Sequence, residues 1–335
     1  MKKAGRSVLG CLYLLMFQLA PASYALNDTS DPGSSAGQTQ LVEPAIQAVS
    51  SATDNEASSG SVVPDTDSAT HSVETECRRI GDKLGSVSFD DCLKIELELS
   101  GAASASNAPI MYKEYAPLAD KLPLGKVLLL GGVHGDEYSS VSIVFKWLQT
   151  LDRFHSGLFH WRVIPLVNPD GLLRVESTRT NANGVDINRN FPTPDWDETA
   201  LKYWAGKTGS NPRHYPGPDA ASEPETAWLV DEIEKFGPDV IVSVHAPHGV
   251  VDYDGPEDGP HKLGRLYLNL LGTFPGSLGN YAGIQKNIPV VTIELPYAGI
   301  MPSPAEVSNI WTDLVRWLTG NIAEQKAIAQ ETDPS

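Results

Sequence analysis

From about Lys126 onward, short wholly apolar runs alternate with longer stretches whose apolar residues repeat at helical spacing. Val127–Leu130, Arg162–Val167, Val240–His245 and Val290–Glu294 read as strands buried on both faces. Helices are predicted between and after them, over roughly 137–150, 223–235 and 304–318. Ser222-Glu223-Pro224-Glu225 precedes the second and predicts a capping box, with the Ser hydroxyl and Glu225 satisfying free amides reciprocally. Strands alternating with helices imply an α/β/α sandwich around a mixed, largely parallel central sheet. The chain shows no internal repeat. In such folds ligands lie beyond the carboxyl ends of the strands. Polar residues capable of chemistry fall at those ends: His134, Asn168, His245 and Glu294.

The N-terminal quarter follows no such pattern. Lys2, Lys3 and Arg6 precede an apolar run from Val8 to Ala20 and small residues through Ala25, the layout of a cleaved signal peptide over 1–25. That run is too short for a mature membrane span. Val8-Leu9-Gly10-Cys11 resembles a lipoprotein box but stands too near the start, so Cys11 is assigned to the discarded peptide. Residues 26–76 hold nine acids and no Lys, Arg, Phe, Trp or Tyr, the composition of a disordered acidic tether. A small subregion over 77–104, a catalytic domain over 105–320 and a tail over 321–335 complete the predicted organisation. Cys77 and Cys92 are 15 residues apart, and in an exported chain one disulfide is expected, with two separately buried thiols as the alternative. Export points to a bacterial periplasm.

The chain of 335 residues is 41% hydrophobic, enough for a large core, and carries a net charge of −17. Such a balance excludes a nucleic-acid binder or a polybasic membrane-surface protein, because both meet phosphate with Lys and Arg.

Within the patterned region, His134-Gly135-Asp136-Glu137 follows the first strand directly. A His and a Glu three apart at a strand-to-helix turn can share a metal ion, although an ordinary surface turn produces the same string. His245 closes an apolar strand, where a satisfied core histidine is the plain alternative. Together His134, Glu137 and His245 form the open three-ligand set of catalytic zinc, with a fourth position left for water. Glu294 ends a buried strand, either as half of a structural ion pair or as a base toward metal-activated water. Asn168-Pro169-Asp170-Gly171 and the run Thr178–Pro192 place two arginines among several amides. Arginine offers a planar fork for a carboxylate or a developing oxyanion; a solvated loop held by Asx turns is the alternative.

Taken in order, His-Gly-Asp-Glu, Asn-Pro-Asp-Gly, Thr-Arg, Gly-Val-Asp-Ile-Asn-Arg-Asn-Phe-Pro, strand-His and strand-Glu-Leu resemble the zinc carboxypeptidase superfamily typified by carboxypeptidase A. The short connections and Ser222–Thr226 look most like its murein peptide amidase branch. The resemblance spans roughly residues 105–320. It implies one zinc per chain held by His134, Glu137 and His245, with Glu294 as general base and then acid. It implies Arg179 as the donor to the scissile carbonyl, and Asn188 with Arg189 as the clamp on the free carboxylate of the leaving residue. Asp186 matches the aspartate that orients the first zinc histidine. The mobile tyrosine of carboxypeptidase A has no clear counterpart; Tyr253 and Tyr297 are candidates by position. For the leaving-residue pocket, the acidic and aromatic residues of Asp195–Tyr215 are candidates. His248 and, more plainly, His155, His160, His214 and His261 are expected at the surface.

The resemblance and the export signal together imply a zinc metallocarboxypeptidase acting on peptidoglycan stem peptides in the periplasm. The bond implied joins γ-D-glutamate to meso-diaminopimelate. A general metallocarboxypeptidase, an aspartoacylase-like deacylase of N-acyl amino acids, and a non-catalytic wall-binding protein are the alternatives.

Overall fold

The computed structural model describes residues 72–332 apart from Glu257, with side chains through residue 323. The expected signal peptide and the tether up to residue 71 lie outside the described residues.

Ser72 caps the first helix, α1 (Val73–Lys83), by accepting a hydrogen bond from the Thr75 N–H. Helix α1 therefore begins inside the stretch expected to be tether. Its inward face carries Cys77 and Ile80, both fully buried. Helix α2 (Phe89–Lys94) opens on a reciprocal capping box between Ser88 and Asp91. A Cys77–Cys92 disulfide joins the two helices, with Cα atoms 5.4 Å apart.

The strands are β1 (Glu98–Ala103), β2 (Pro109–Tyr115), β3 (Gly125–Leu130), β4 (Phe159–Ile164) and β5 (Val240–His245). They continue with β6 (Val250–Asp254), β7 (Lys262–Leu263), β8 (Leu266–Leu268) and β9 (Val290–Glu294). All nine form one mixed sheet in the order β1-β2-β4-β3-β5-β9-β6-β8-β7. Its parallel part is the centre, β4-β3-β5-β9. On one flank β1, β2 and β4 pair antiparallel; on the other β6 runs antiparallel to β9. Because β1 pairs with β2, the N-terminal subregion shares the sheet of the catalytic domain. Strand β4 ends at Ile164, short of the expected Val167, since Pro165 has no N–H to give the ladder. The chain beyond it stays alongside β3: Val167 and Asn168 donate to the carbonyls of Gly131 and Gly132.

Alternation along the central strands sorts the core into two layers. Val127, Leu129, Val242, Val244, Val291 and Ile293 pack with α3 (Tyr138–Phe154) and α7 (Pro304–Thr332). Leu128, Leu130, Ile241 and Val290 pack with Leu229, Ile233 and Phe236 of α6 (Pro224–Phe236). Helices thus cover both faces of the sheet, as the pattern of apolar runs predicts. Helix α7 reaches well past residue 318, and Ile322 is fully buried, so the expected tail starts as core helix. The capping box at Ser222 does not form. Glu223 takes the cap position, the Ser222 hydroxyl donates to its carboxylate, and Glu225 accepts from the Ala105 N–H and from Asn181. Among the described residues no helix is long and apolar enough to cross a membrane.

Replacing both bridged cysteines (Cys77→Ser with Cys92→Ser) is expected to cost about 3 kcal/mol, the closure entropy of a loop of this length. Urea denaturation without reductant checks this. A midpoint equal to that of the unsubstituted protein would mean that the bridge does not form.

Candidate active site

At the carboxyl end of β3 the chain turns through two glycines and delivers His134 to the top of the sheet. Gly135 is a close-approach position: a Cβ there would lie 2.1 Å from the Gly171 carbonyl carbon. The His134 loop and the Asn168–Gly171 turn, which opens α4 (Pro169–Leu173), therefore interlock. Asn168, fully buried, stitches them, accepting from the Gly171 N–H and donating to the carbonyls of Val133 and Arg179.

His134, Glu137 and His245 come together as the sequence predicts, with mutually close ligand atoms. All three are buried. The Nδ1 atoms of the two histidines lie 3.0 Å apart. Glu137 bridges them, Oε1 at 2.8 Å from His134 Nδ1 and Oε2 at 3.1 Å from His245 Nδ1. The far ring nitrogens are engaged elsewhere, His134 Nε2 with Asp186 Oδ1 at 3.1 Å and His245 Nε2 with Ser243 Oγ at 2.9 Å. Two ring nitrogens facing at 3.0 Å repel unless one carries the hydrogen and donates it to the other, or a metal ion takes both lone pairs. Two imidazoles and one carboxylate, each oriented by an outer partner, are the donor set of an open zinc site, so the residues fit the ion. Burial and Arg179 disfavour the charged His134 ring, but Glu137 and Asp186 outweigh them and hold its pKa above the ordinary value. Burial likewise opposes ionisation of Glu137, yet the two histidines hold its carboxyl far below the usual range.

Around this centre lie the remaining predicted residues. Asp186, fully buried, accepts from Arg179 Nε at 2.8 Å and from the Asn188 N–H at 3.0 Å. Its carboxyl stays well below the usual range: burial raises it, and Arg179 and His134 more than reverse that. Arg189 stacks on Phe274, its guanidinium carbon 4.3 Å from the ring centroid. No carboxylate among the described residues forms a direct ion pair with it; burial lowers its pKa, with Arg179 adding to that and the charge of Asp186 opposing it. Asn188 Oδ1 accepts from the Leu278 N–H, which turns its amide donors to other uses. Glu294, 8% exposed, is level with His245 across β5 and β9 and accepts from the His248 N–H. All of these groups except the fully buried Asp186 line one cavity of about 390 Å³.

Other expectations fare differently. His214 is no isolated surface residue; it lines the cavity 3.6 Å from Asp186. His248 is exposed at the same rim. His160 bonds Glu114, and His155 lies by the Ala116 carbonyl. Tyr253 is buried against Trp317, which removes it as a mobile lid, and Tyr297 is 62% exposed. Of Asp195–Tyr215, Arg213 and His214 line the cavity; its far wall instead comes from Asp252, Asp254 and the segment around Leu271–Gly279. The two acids were missed, although Val-Val-Asp-Tyr-Asp alternates at strand period beside the site.

Comparison with known proteins agrees with this geometry. A zinc carboxypeptidase family model matches residues 123–261. The chain is 32% identical over 197 residues to murein peptide amidase A of Escherichia coli K12, covering 57% of this chain and 79% of that one. The chain belongs to the zinc carboxypeptidase family. Murein peptide amidase A of Vibrio campbellii is a further relative, 35% identical over 176 residues, with 50% of this chain and 68% of that one aligned. Bovine thrombin-activatable fibrinolysis inhibitor, solved with a tick carboxypeptidase inhibitor, shares the fold at a TM-score of 0.53 and 15% identity, over 76% of this chain and 98% of that one. As a zinc carboxypeptidase the protein is a metallopeptidase whose cofactor is zinc.

In this zinc carboxypeptidase, Asp186→Asn should weaken zinc binding by about 10–100-fold, because the acceptor orienting His134 is degraded. Competition against a chromophoric chelator reads this directly; unchanged affinity would show that Asp186 does not tune the site. A second expectation concerns Asp254, whose carboxyl burial and the neighbouring Asp252 push up to about 7. Its folded pKa exceeds the unfolded value of about 3.9, so it lowers stability increasingly as pH rises between the two, and by a constant amount above. Asp254→Asn should therefore raise the melting temperature, more at pH 8 than at pH 5. A gain independent of pH would contradict that burial.

Proposed function

We propose that the protein hydrolyses the amide between γ-D-glutamate and meso-diaminopimelate in peptidoglycan stem peptides, as a zinc-dependent carboxypeptidase exported to the periplasm. The observation that carries the reading is one cavity joining a His-His-Glu centre, a base-bearing strand end and an arginine without a carboxylate partner. The similarity to murein peptide amidases supplies the class of substrate. The basic start and apolar run of residues 1–25 support export.

His134, Glu137 and His245 would hold the zinc, which when bound supplies Lewis acidity for the carbonyl and lowers the pKa of water. Glu294, at the end of β9 and level with His245, takes the proton of the attacking water and returns it to the departing amine. Arg179 is fixed through Nε by Asp186, with Nη1 3.5 Å from Glu137 Oε1, so its remaining donors meet the carbonyl oxygen as negative charge develops there. Arg189 and the free amide of Asn188 grip the α-carboxylate of the leaving residue by charge-assisted hydrogen bonds. Asp186 positions both His134 and Arg179 and touches no substrate.

The test is mass spectrometry of L-Ala-γ-D-Glu-meso-diaminopimelate incubated with the protein, with and without chelator, beside Glu294→Gln and Arg179→Ala. Free diaminopimelate should appear, vanish with chelator or Glu294→Gln, and form about 10²–10³-fold more slowly with Arg179→Ala. No release by zinc-loaded protein would overturn the substrate. Hydrolysis of N-acyl amino acids or ordinary C-terminal peptides would then identify a deacylase or a general carboxypeptidase.

A further inference from the structure

One cation of the cavity wall, Arg213, has no part in the function proposed above, yet several contacts place it. It lies in the short 3-10 turn Pro212–His214. Asn211 caps that turn by accepting from the Arg213 N–H, and the Asn211 carbonyl accepts from Trp204 Nε1 at 2.7 Å. The Tyr215 ring packs on Trp204, and the Tyr215 carbonyl accepts from the Asp186 N–H at 2.8 Å. The turn is thereby fixed to the aspartate that holds His134 and Arg179.

The Arg213 side chain is 54% exposed and donates through Nη1 to Asp136 Oδ2. An arginine and a carboxylate that exist only to satisfy each other do so through two parallel hydrogen bonds. This pair makes one. Asp136 Oδ1 is left buried without a partner, and among the described residues Nε and Nη2 of Arg213 have none either. Those two nitrogens form one edge of the guanidinium fork, the edge that grips a carboxylate at two points. The pair also has a definite side of the cavity. Burial opposes the charge on Arg179, and Asp186, Glu137 and Asp136 sustain it. Burial opposes the charge on Arg189 as well, but there Asp186 is the one carboxylate acting. Arg213 and Asp136 thus stand on the Arg179 side, away from the clamp of Arg189 and Asn188.

We propose that Arg213, aimed by Asp136, binds the α-carboxylate of the γ-D-glutamyl residue on the acyl side of the scissile amide and so selects the γ-linkage. The proposal rests on the function proposed above, in which Arg189 and Asn188 hold the leaving residue and Arg179 meets the carbonyl. The acyl group then extends from Arg179 toward the wall that carries Arg213. In a γ-glutamyl amide the free carboxylate is four bonds from the scissile carbonyl carbon, about 5 Å when extended. An α-linked peptide continues in that direction as an uncharged amide. The open edge of Arg213 therefore meets a charge in the first case and none in the second. Asp136 sets the direction of the fork, as Asp186 does for Arg179, and leaves the second edge to the ligand.

The experiment measures kcat/KM on L-Ala-γ-D-Glu-meso-diaminopimelate and on the same tripeptide with its glutamyl α-carboxylate converted to the carboxamide. The proteins are the full chain, Arg213→Gln and Arg213→Lys. The unsubstituted protein should favour the carboxylate by about 10- to 100-fold, the worth of a charge-assisted hydrogen bond. Arg213→Gln should bring that ratio toward one with zinc content preserved, and Arg213→Lys should restore part of it. Equal rates on the two forms in the unsubstituted protein overturn the proposal without any variant having to fold. A zinc-loaded Arg213→Gln that keeps the full ratio overturns it as well. N-glutaryl amino acids and their carboxamide counterparts separate the two readings, because glutaryl carries a carboxylate at the same four-bond spacing and is no wall peptide. A glutaryl preference that Arg213→Gln abolishes, without cleavage of the γ-D-glutamyl tripeptide, sinks the wall-peptide function and sustains the subsite. Cleavage of no carboxylate-bearing substrate in either series overturns both.

Discussion

The site depends on one carboxylate. Asp186 is fully buried and its two oxygens meet His134 Nε2, Arg179 Nε and the Asn188 N–H. Through these contacts it fixes a metal-facing histidine, the donor proposed for the oxyanion and the start of the carboxylate clamp. A buried anion is tolerated where cations and amide donors surround it, and Asp186 has both. Its own position is held in turn by chain geometry, since its N–H donates to the Tyr215 carbonyl and it caps the short 3-10 turn over Ile187–Arg189. Removing the carboxylate would loosen three functions together. That coupling explains why a loop carries them, because a loop can wrap an anion on several sides where a strand cannot.

The scaffold beneath this hub is what the apolar pattern foretells. Strands β3, β5 and β9 are buried on both faces, so their sequences are nearly continuous in Val, Leu and Ile and stand out at once. The polar residues at their ends or just beyond stand out for the same reason, which is how His245 and Glu294, and His134 past the end of β3, become legible. The flanking strands are not legible in that way. Strand β1, Glu-Leu-Ser-Gly-Ala-Ala, has no buried residue, and sheet pairing alone defines it. Strand β6 carries two acids on its cavity face, so it lacks the apolar run that marks a central strand. Helix α5 (Trp196–Thr208) buries little beyond Trp196 and Ala200, which leaves its sequence without a strong amphipathic signal.

Local rules fail where distant residues compete for the same groups. Ser222 and Glu225 have the spacing of a capping box, but Asn190 donates to the Ser222 hydroxyl and Asn181 to Glu225. Both asparagines belong to the loop that follows Arg179, so the helix start is recruited to brace the active-site loop. Glu223 is drawn in too, accepting from Asn181 and Asn183. His214 follows the same logic: nothing in its sequence neighbourhood marks it, yet the chain returns it to Asp186. Contacts of this kind join segments far apart in sequence, and no periodicity records them.

Electrostatics show the same separation of scales. A net charge of −17 would repel an anionic stem peptide at long range, and salt screens such a field within about 8 Å. Recognition then has to come from groups that touch the ligand. Arg189 supplies this: it stacks on Phe274, faces no carboxylate partner and sits in the cavity wall. Burial that lowers its pKa also strengthens any ion pair it makes with a ligand, because water no longer competes. The acids on β6 are governed by the same physics with the sign reversed. With Arg189 on one wall and the β6 acids on another, the cavity has a preorganised dipole.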